Sequence, residues 1–267
     1  SIVEKGFMLS GNTKKNLFMY PDIEFTNLDF RFFNEQEDFA FFKYDSILDP
    51  NILGYDGEVE IIGDIYVSSD KVTSYGKIET NNSSFISDNF SYNQNLIVSE
   101  NTSLKLSASN HAKGLMEAED VFFKYDLAKN KMEFKSLFFD ERNFIFPEYD
   151  LSTSLSNAEW LISTGSIEVN ASSDEIHSVY SLSNNFYNWD FISNSFSLDL
   201  NTKTINAKGV PDIQVADAYI IPENEELYIR EGFQILPLSN SVLVLDTINE
   251  FHRFVNSNVS VLTKDKF

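Results

Sequence analysis

The sequence predicts an all-β fold: an elongated, twisted antiparallel sheet or a rolled β-repeat of the jelly-roll or solenoid kind, with a compact β-sandwich as the alternative. Three observations predict it. Apolar and polar residues alternate over short runs, with the period of a strand. Turn-forming residues separate the runs every ~8 to 15 residues. Phe and Tyr, which favour strands, number 25 and 12.

A line of strand, turn and strand recurs along the chain. In "AEDVFFKYDLAKNKMEFKS" two alternating runs flank a polar hinge at residues 126–131. The hinges are rich in Asn, Asp, Gly and Pro, which accept the backbone angles of tight turns, so we expect hairpins or solenoid corners there. Comparable hinges fall at residues 34–38, 164–165, 201–203 and 222–226.

One stretch near the end of the chain has two interpretations. "DTINEFHRFVNS", residues 246–257, is the best candidate for a helix, and it fits a strand with a bulge equally well.

The recurrence indicates one continuous β-repeat region over residues 1–267, with a soft boundary near residues 110–117. The chain opens on Ser1 and stops within an alternating pattern, so we expect it to be part of a longer polypeptide. No apolar run approaches the ~18 to 20 residues that span a bilayer, so no transmembrane helix is expected.

The charge balance excludes one class of partner. Forty-one acidic residues against twenty basic ones give a formal charge of −21, which repels phosphate backbones, so nucleic acid is not expected as a partner. Acidic surface serves solubility. The chain has no Cys, which excludes disulfides and thiolate metal sites.

No pattern in the sequence is specific to a catalytic chemistry. His111, His177 and His252 lie far apart and lack metal-site spacing. Nucleophile-elbow, P-loop and metalloprotease motifs are missing from the sequence. We therefore predict a non-enzymatic protein without catalytic residues; a glycan-active enzyme using two of the many acids is a third hypothesis.

A calcium loop is the one candidate for a cofactor site. In "DPNILGYDGEVE", Asp49, Asn51, Gly54 and Glu60 match the first, third, sixth and twelfth positions of the calcium-loop template, while Leu53 breaks the fifth. The alternative is an ordinary Asp-Pro and Gly turn. No other metal or cofactor is expected.

An aromatic cluster is a candidate sugar platform. Trp160 and Trp189, with Tyr187 and Tyr180 near the latter, could stack on sugar rings as in carbohydrate-binding β-sandwich modules. We expect Trp189 to be exposed because polar Asn and Asp surround it. This gives the alternative function, a carbohydrate-binding module.

The residues "NAKGVPDIQVADAYIIPENEELYIREG", 206–232, resemble repeat segments of very large, largely uncharacterised exported proteins of bacterial envelopes. The pattern extends over residues 58–254. More distantly, the cadence of strand, "YD" or "LD", turn and strand is similar to the OstA-like jelly-roll repeats of lipopolysaccharide-transport proteins.

The resemblance implies an extracytoplasmic protein of the periplasm or outer-membrane surface, with other envelope proteins, neighbouring repeats, lipid or glycan as partners. We therefore expect a non-enzymatic β-repeat scaffold or partner-binding segment. In one version it holds lipid in an apolar groove lined by Val121, Phe123, Tyr125 and Phe196.

Overall fold

A computed structural model describes the backbone of residues 2–3, 6–15, 23–33, 39–43, 51–67, 71–107, 113–138, 142–172, 176–186, 189–249 and 252–267. It describes the side chains of the same residues from 52 onward, apart from residue 67. Within these ranges the chain is all-β and its strand pairs are antiparallel, which confirms the predicted fold class. The described residues contain no α-helix, and no helix there is long and apolar enough to cross a membrane.

The chain divides into two compact units. The first comprises Ser1–Ser109 with Glu119–Met132, and the second comprises Asn110–Ala118 with Glu133–Phe267. The first division falls between Ser109 and Asn110.

The first unit contains nine strands and parts of two that both units share. The nine are β1 (Ile2–Val3), β2 (Gly6–Lys15), β3 (Ile23–Phe33), β4 (Phe39–Lys43), β5 (Asn51–Gly54), β6 (Val59–Val67), β7 (Val72–Thr80), β8 (Ser83–Asn93) and β9 (Leu96–Leu106). The shared strands are β10 (Met116–Asp126) and β11 (Lys131–Ser136), joined by the 3-10 turn η1 (Leu127–Lys129).

The second unit contains shorter strands and four further 3-10 turns. They follow in the order β12 (Phe144–Phe146), η2 (Pro147–Tyr149), β13 (Leu151–Thr153), β14 (Asn157–Leu161), β15 (Ser166–Asn170), β16 (Ser178–Ser181), η3 (Asn184–Phe186), β17 (Asp190–Ile192), β18 (Ser195–Asp199), β19 (Thr204–Lys208), β20 (Ile213–Val215), β21 (Ala218–Ile221), η4 (Glu223–Glu225), β22 (Glu226–Arg230), η5 (Glu231–Phe233), β23 (Gln234–Ile235), β24 (Leu238–Leu245) and β25 (His252–Val259).

The first unit is an antiparallel meander. β1, β2 and β3 pair in order, and β3 then pairs with both β4 and β5, which both pair with β6. The meander continues through β7, β8 and β9. Consecutive strands therefore pair with their neighbours in the chain, as the recurring strand, turn and strand lines predict.

Three long strands of the first unit, β8, β9 and β10, change their buried face partway along. The alternation of buried and exposed residues shifts by one position at Asp88 and Asn89 of β8, at Glu100 and Asn101 of β9, and next to Asp120 of β10, where φ is +50°. An extra residue in a strand bends it and keeps the apolar side chains on one side. We call this series of bends the corner, and the two halves of each strand its arms.

Serine and asparagine side chains hydrogen-bond along the corner of the first unit. The hydroxyls of Ser87 and Ser99 are 2.7 Å apart and buried, and Ser87 donates to the carbonyl oxygen of Asn101 at 2.6 Å. The Asn101 amide in turn donates to Asp120 at 3.2 Å. These bonds satisfy polar groups where the ladder between strands is interrupted.

The second unit repeats this design with shorter strands on either side of the corner. One arm is the sheet β14, β15, β18, β19 and β22, paired in that order, and the other contains β12, β13, β16 and β17. Again, hydroxyl groups bridge the corner: Ser156 to Ser172 at 2.7 Å, and Ser193 to the Lys208 carbonyl oxygen at 3.0 Å.

The inner face of the first of these arms carries two apolar rows. Cross-strand pairing sets both rows, because directly opposite residues share a face of the sheet. All ten side chains are buried: Trp160, Ile167, Leu198, Ile205 and Ile229 in one row, and Ala158, Val169, Phe196, Ala207 and Leu227 in the other.

A separate four-stranded sheet ends the chain. Its strands pair in the order β20, β21, β24 and β25. The described part of residues 246–257 is a turn at 247–249 followed by β25 from His252, so it forms a strand with a bulge and not a helix.

Candidate functional site

The interior of the first unit is filled by its own rings where a groove was expected. Phe123 is 0% exposed, and its ring stacks on that of Phe85 with 4.3 Å between centroids. Phe90 approaches the same ring edge-on at 6.4 Å. Val121 and Tyr125 are also buried in this unit. These side chains form a packed core.

Phe196 lies in the core of the second unit. It is 1% exposed, and its ring contacts that of Phe146 edge-on at 5.1 Å. Phe146 lies on β12 and Phe196 on β18, so the contact closes the space between the two arms. The structure therefore places Val121, Phe123 and Tyr125 in the core of the first unit and Phe196 in the core of the second.

Trp189 is buried, so the expectation that it is exposed is wrong. Its side chain is 8% exposed, and its indole nitrogen donates to the carbonyl oxygen of Gln214 at 2.6 Å. Three aromatic rings lie within 5.9 Å of the indole centroid, those of Phe186, Phe191 and Phe233. Asp190, the polar residue that follows Trp189, is exposed, so a polar neighbour in sequence did not indicate an exposed indole.

The predicted sugar platform has three further members, Tyr180, Tyr187 and Trp160. Tyr187 lies outside the described residues. Tyr180 is half-buried on β16, opposite Ser152 and Asp190. Trp160 is buried in the inner row of β14.

The candidate calcium loop coincides with a β-hairpin. Gly54 pairs with Val59 and Leu53 with Glu60, and the Gly57 nitrogen donates to the Gly54 carbonyl oxygen at 3.2 Å in the turn between them. This geometry is that of an ordinary tight turn. Asp49 and the Asn51 side chain lie outside the description, so calcium binding stays a prediction.

Titratable side chains that are buried have structural partners. His177 is buried, with its Nδ1 3.2 Å from the Ser154 carbonyl oxygen. His252 is exposed on β25, and His111 lies outside the described residues. Among the residues with described side chains, no group of three or more His, Asp or Glu is arranged to hold a metal.

Two buried tyrosines of the first unit titrate far above their ordinary range. Burial raises the pKa of Tyr55, with a further rise from Tyr92. The Tyr55 hydroxyl donates to the Asn93 carbonyl oxygen at 2.8 Å. Burial likewise raises the pKa of Tyr92, whose hydroxyl is 2.6 Å from that of Ser74. Both phenols are kept neutral and serve packing.

The edge strand β25 differs from the other apolar strands because it is exposed on both faces. Phe254 is 49% exposed and Val255, which points the other way, is 64% exposed. Among the described strands β25 pairs with β24 alone, so its other edge presents main-chain donors and acceptors. A long apolar edge of this kind is a template for another strand.

One row of core side chains extends across the sheet to this edge, and its side chains become more exposed toward the edge. Ile220 on β21 is fully buried, its partner Leu243 on β24 is half-buried, and Phe254 on β25, opposite Leu243, is half exposed. At the other end of β25, Val259 is buried opposite Leu238. The edge strand is therefore buried at its C-terminal end, at Val259, and exposed near its N-terminal end, at Phe254.

The edge is also poor in charge. β24 and β25 together contain a single formally charged residue, Arg253, in a chain whose net charge is −21. Edge strands that avoid pairing usually carry several charges or a proline. The exposure of "HRFVNSNV" follows from tertiary structure and could not be predicted from its sequence.

Comparison of the chain with protein-family models, with curated proteins and with solved structures gave no match.

Proposed function

We propose that the chain is a non-enzymatic β-repeat scaffold of a bacterial envelope protein, and that it binds a partner by strand addition at the edge strand β25. The observation that carries the binding role is the exposure of Phe254 and Val255 on an edge with no carboxylate. Strand addition derives affinity from main-chain hydrogen bonds and specificity from alternating side chains. The envelope location is supported by the sequence resemblance at residues 206–232.

The packing of the two cores favours a scaffold over a lipid carrier. A lipid-holding groove needs apolar side chains that face an open channel. Phe123 and Phe196 instead contact other rings of their own units, Phe85 and Phe146. The burial of Trp189 likewise removes the observation on which a carbohydrate-binding module was based.

The bends within each unit fit a scaffold as well. Hydroxyl pairs such as Ser87 with Ser99 and Ser156 with Ser172 repeat where the strands bend, so each added strand extends the same construction. Structures built by adding similar units gain length without a new core design, and they need cover only at their ends.

Site-specific photo-crosslinking in cells tests this proposal. A photoreactive residue replaces Phe254 in one variant and Ile86 in a control, since Ile86 lies on an outer face of β8 and is 56% exposed. The proposal predicts envelope-fraction adducts from position 254 and none from position 86. Recovery of the protein in the cytosol, or equal adducts from both positions, would contradict it.

A further inference from the structure

A bulge at the centre of β25 makes the strand symmetric. Between Leu243 and Ser241 of β24 there are two steps along the chain, but between their partners Phe254 and Ser257 there are three. One extra residue therefore lies at 255–256, where Asn256 has φ +53°. This shift puts the positions on the core side of β25 at 252, 254, 257 and 259, each opposite a residue of β24.

These four positions are mirror-related about the middle of the strand. Reversing the eight residues of β25 exchanges 252 with 259 and 254 with 257, so core-side positions map onto core-side positions. Without the bulge, the same reversal would map the core side onto the outer side, because successive side chains alternate. The bulge thus allows β25 to pair antiparallel with an identical strand over all eight residues while both cores stay on one face.

We propose that the edge strand β25 pairs with β25 of a second copy of this chain about a two-fold axis between Val255 and Asn256. In this register Phe254 lies opposite Ser257 of the second copy and Arg253 lies opposite its Asn258. All eight residues pair. The exposed N-terminal end of each β25 then lies beside the buried C-terminal end of the other. A two-fold contact of this kind is self-complementary and closed.

Charge does not oppose the meeting of two acidic chains at this surface. Net charges of −21 repel at close range, but β24 and β25 carry no carboxylate. In the proposed register the two Arg253 side chains are separated by about five residues of strand, roughly 17 Å. This is beyond the Debye length of about 8 Å at physiological salt, so they repel little.

This inference rests on the proposed function for the choice of edge, and it adds the identity of the partner. Experiments can overturn the proposed second copy without overturning the proposed scaffold, and the reverse. A monomer whose position 254 crosslinks to another envelope protein would overturn the second copy and keep the scaffold. A dimer recovered from the cytosol would keep the second copy and overturn the envelope scaffold.

Disulfide crosslinking of the purified 267-residue chain tests the register, since the native sequence has no Cys. The double variant Arg253→Cys with Asn258→Cys should form a covalent dimer under mild oxidation, because each cysteine faces the other type across the axis. The single variants should not, because each cysteine then faces a native side chain. Equal crosslinking of single and double variants, or none in any, would overturn the register.

Sedimentation measures the association itself. The wild-type chain should sediment at twice its monomer mass at high concentration. Phe254→Lys should raise the dimer dissociation constant about tenfold or more, because it charges the apolar side of the strand. Ile86→Lys, an equally exposed substitution away from the edge, should leave it unchanged. A wild-type chain that stays monomeric at every concentration would overturn the proposal.

Discussion

The ring of Phe123 stacks on the ring of Phe85 with 4.3 Å between centroids and 23° between planes. Phe85 lies on β8 and Phe123 on β10, with β9 between them. Strands two apart in a flat sheet are about 9.6 Å apart. The rings are in contact because they lie on opposite arms of strands that bend at the corner. The contact therefore shows that the two arms of the sheet pack against each other.

Phe123→Ala should lower the free energy of unfolding by about 3 to 5 kcal/mol, because it leaves a cavity where two rings now contact Phe123. Urea denaturation measures the change. Phe138→Ala is the matched control, since Phe138 is 62% exposed, and it should change the free energy little. Equal effects of the two substitutions would mean that Phe123 is not a core residue.

Gly63→Ala should destabilise the first unit by about 2 kcal/mol or more. Gly63 has φ +141° and pairs with Gly76, and a Cβ there would meet the backbone carbonyl of Tyr75. Gly54→Ala is the control, because a Cβ at Gly54 meets only the end of the Ile61 side chain at ordinary distance. Thermal unfolding of the two variants compares them; a Gly63 variant as stable as the Gly54 variant would contradict the close approach.

The hydroxyls of Ser87 and Ser99 should be coupled across the corner. Each Ser→Ala substitution leaves the other hydroxyl with fewer partners, so a double-mutant cycle should give a coupling energy of about 1 kcal/mol. Denaturation of the four proteins supplies the cycle. Strictly additive effects would show that the 2.7 Å contact contributes nothing.

Stability should fall as the pH rises above about 10, where tyrosines of the unfolded chain ionise. Burial raises the folded-state pKa of Tyr55 and Tyr92, so the folded chain holds these protons after the unfolded chain has lost them. Their contribution is complete below the unfolded pKa and is lost as the pH rises through the folded pKa.

Denaturation midpoints between pH 8 and pH 11 measure this loss. The double variant Tyr55→Phe with Tyr92→Phe separates it from general repulsion in an acidic chain, because both proteins share the repulsion. The wild-type midpoint should fall more steeply with pH. Parallel profiles would show that the two phenols do not contribute.

Turn chemistry explains why the strand, turn and strand lines could be predicted from the sequence. At the first hinge, Asp126 accepts from the Lys129 nitrogen at 3.2 Å and Asn130 has φ +49°. Gly165 and Lys203 occupy similar left-handed positions in the next hinges. Local residue preferences decide these turns, so no long-range information was needed. The hinge at residues 34–38 lies outside the described residues.

The corner could not be predicted, because it depends on packing between distant strands. A one-residue shift in alternation, as at Asp88 and Asn89, is too small a signal in sequence to separate from a solvent-facing polar pair. Trp189 was misjudged for a related reason: its neighbours in sequence are polar, but its neighbours in space are Phe186, Phe191 and Phe233. The exposure of the edge at Phe254 could not be predicted either, because it depends on how other strands pack around it.

Amide hydrogen exchange along β25, measured at low and high concentrations of the purified chain, tests the central claim that this strand is a pairing edge. Amides that point away from β24 should exchange rapidly in the dilute monomer and become protected as the second copy binds, while β8 stays protected throughout. Exchange along residues 252–259 that is equally fast at both concentrations would contradict the account.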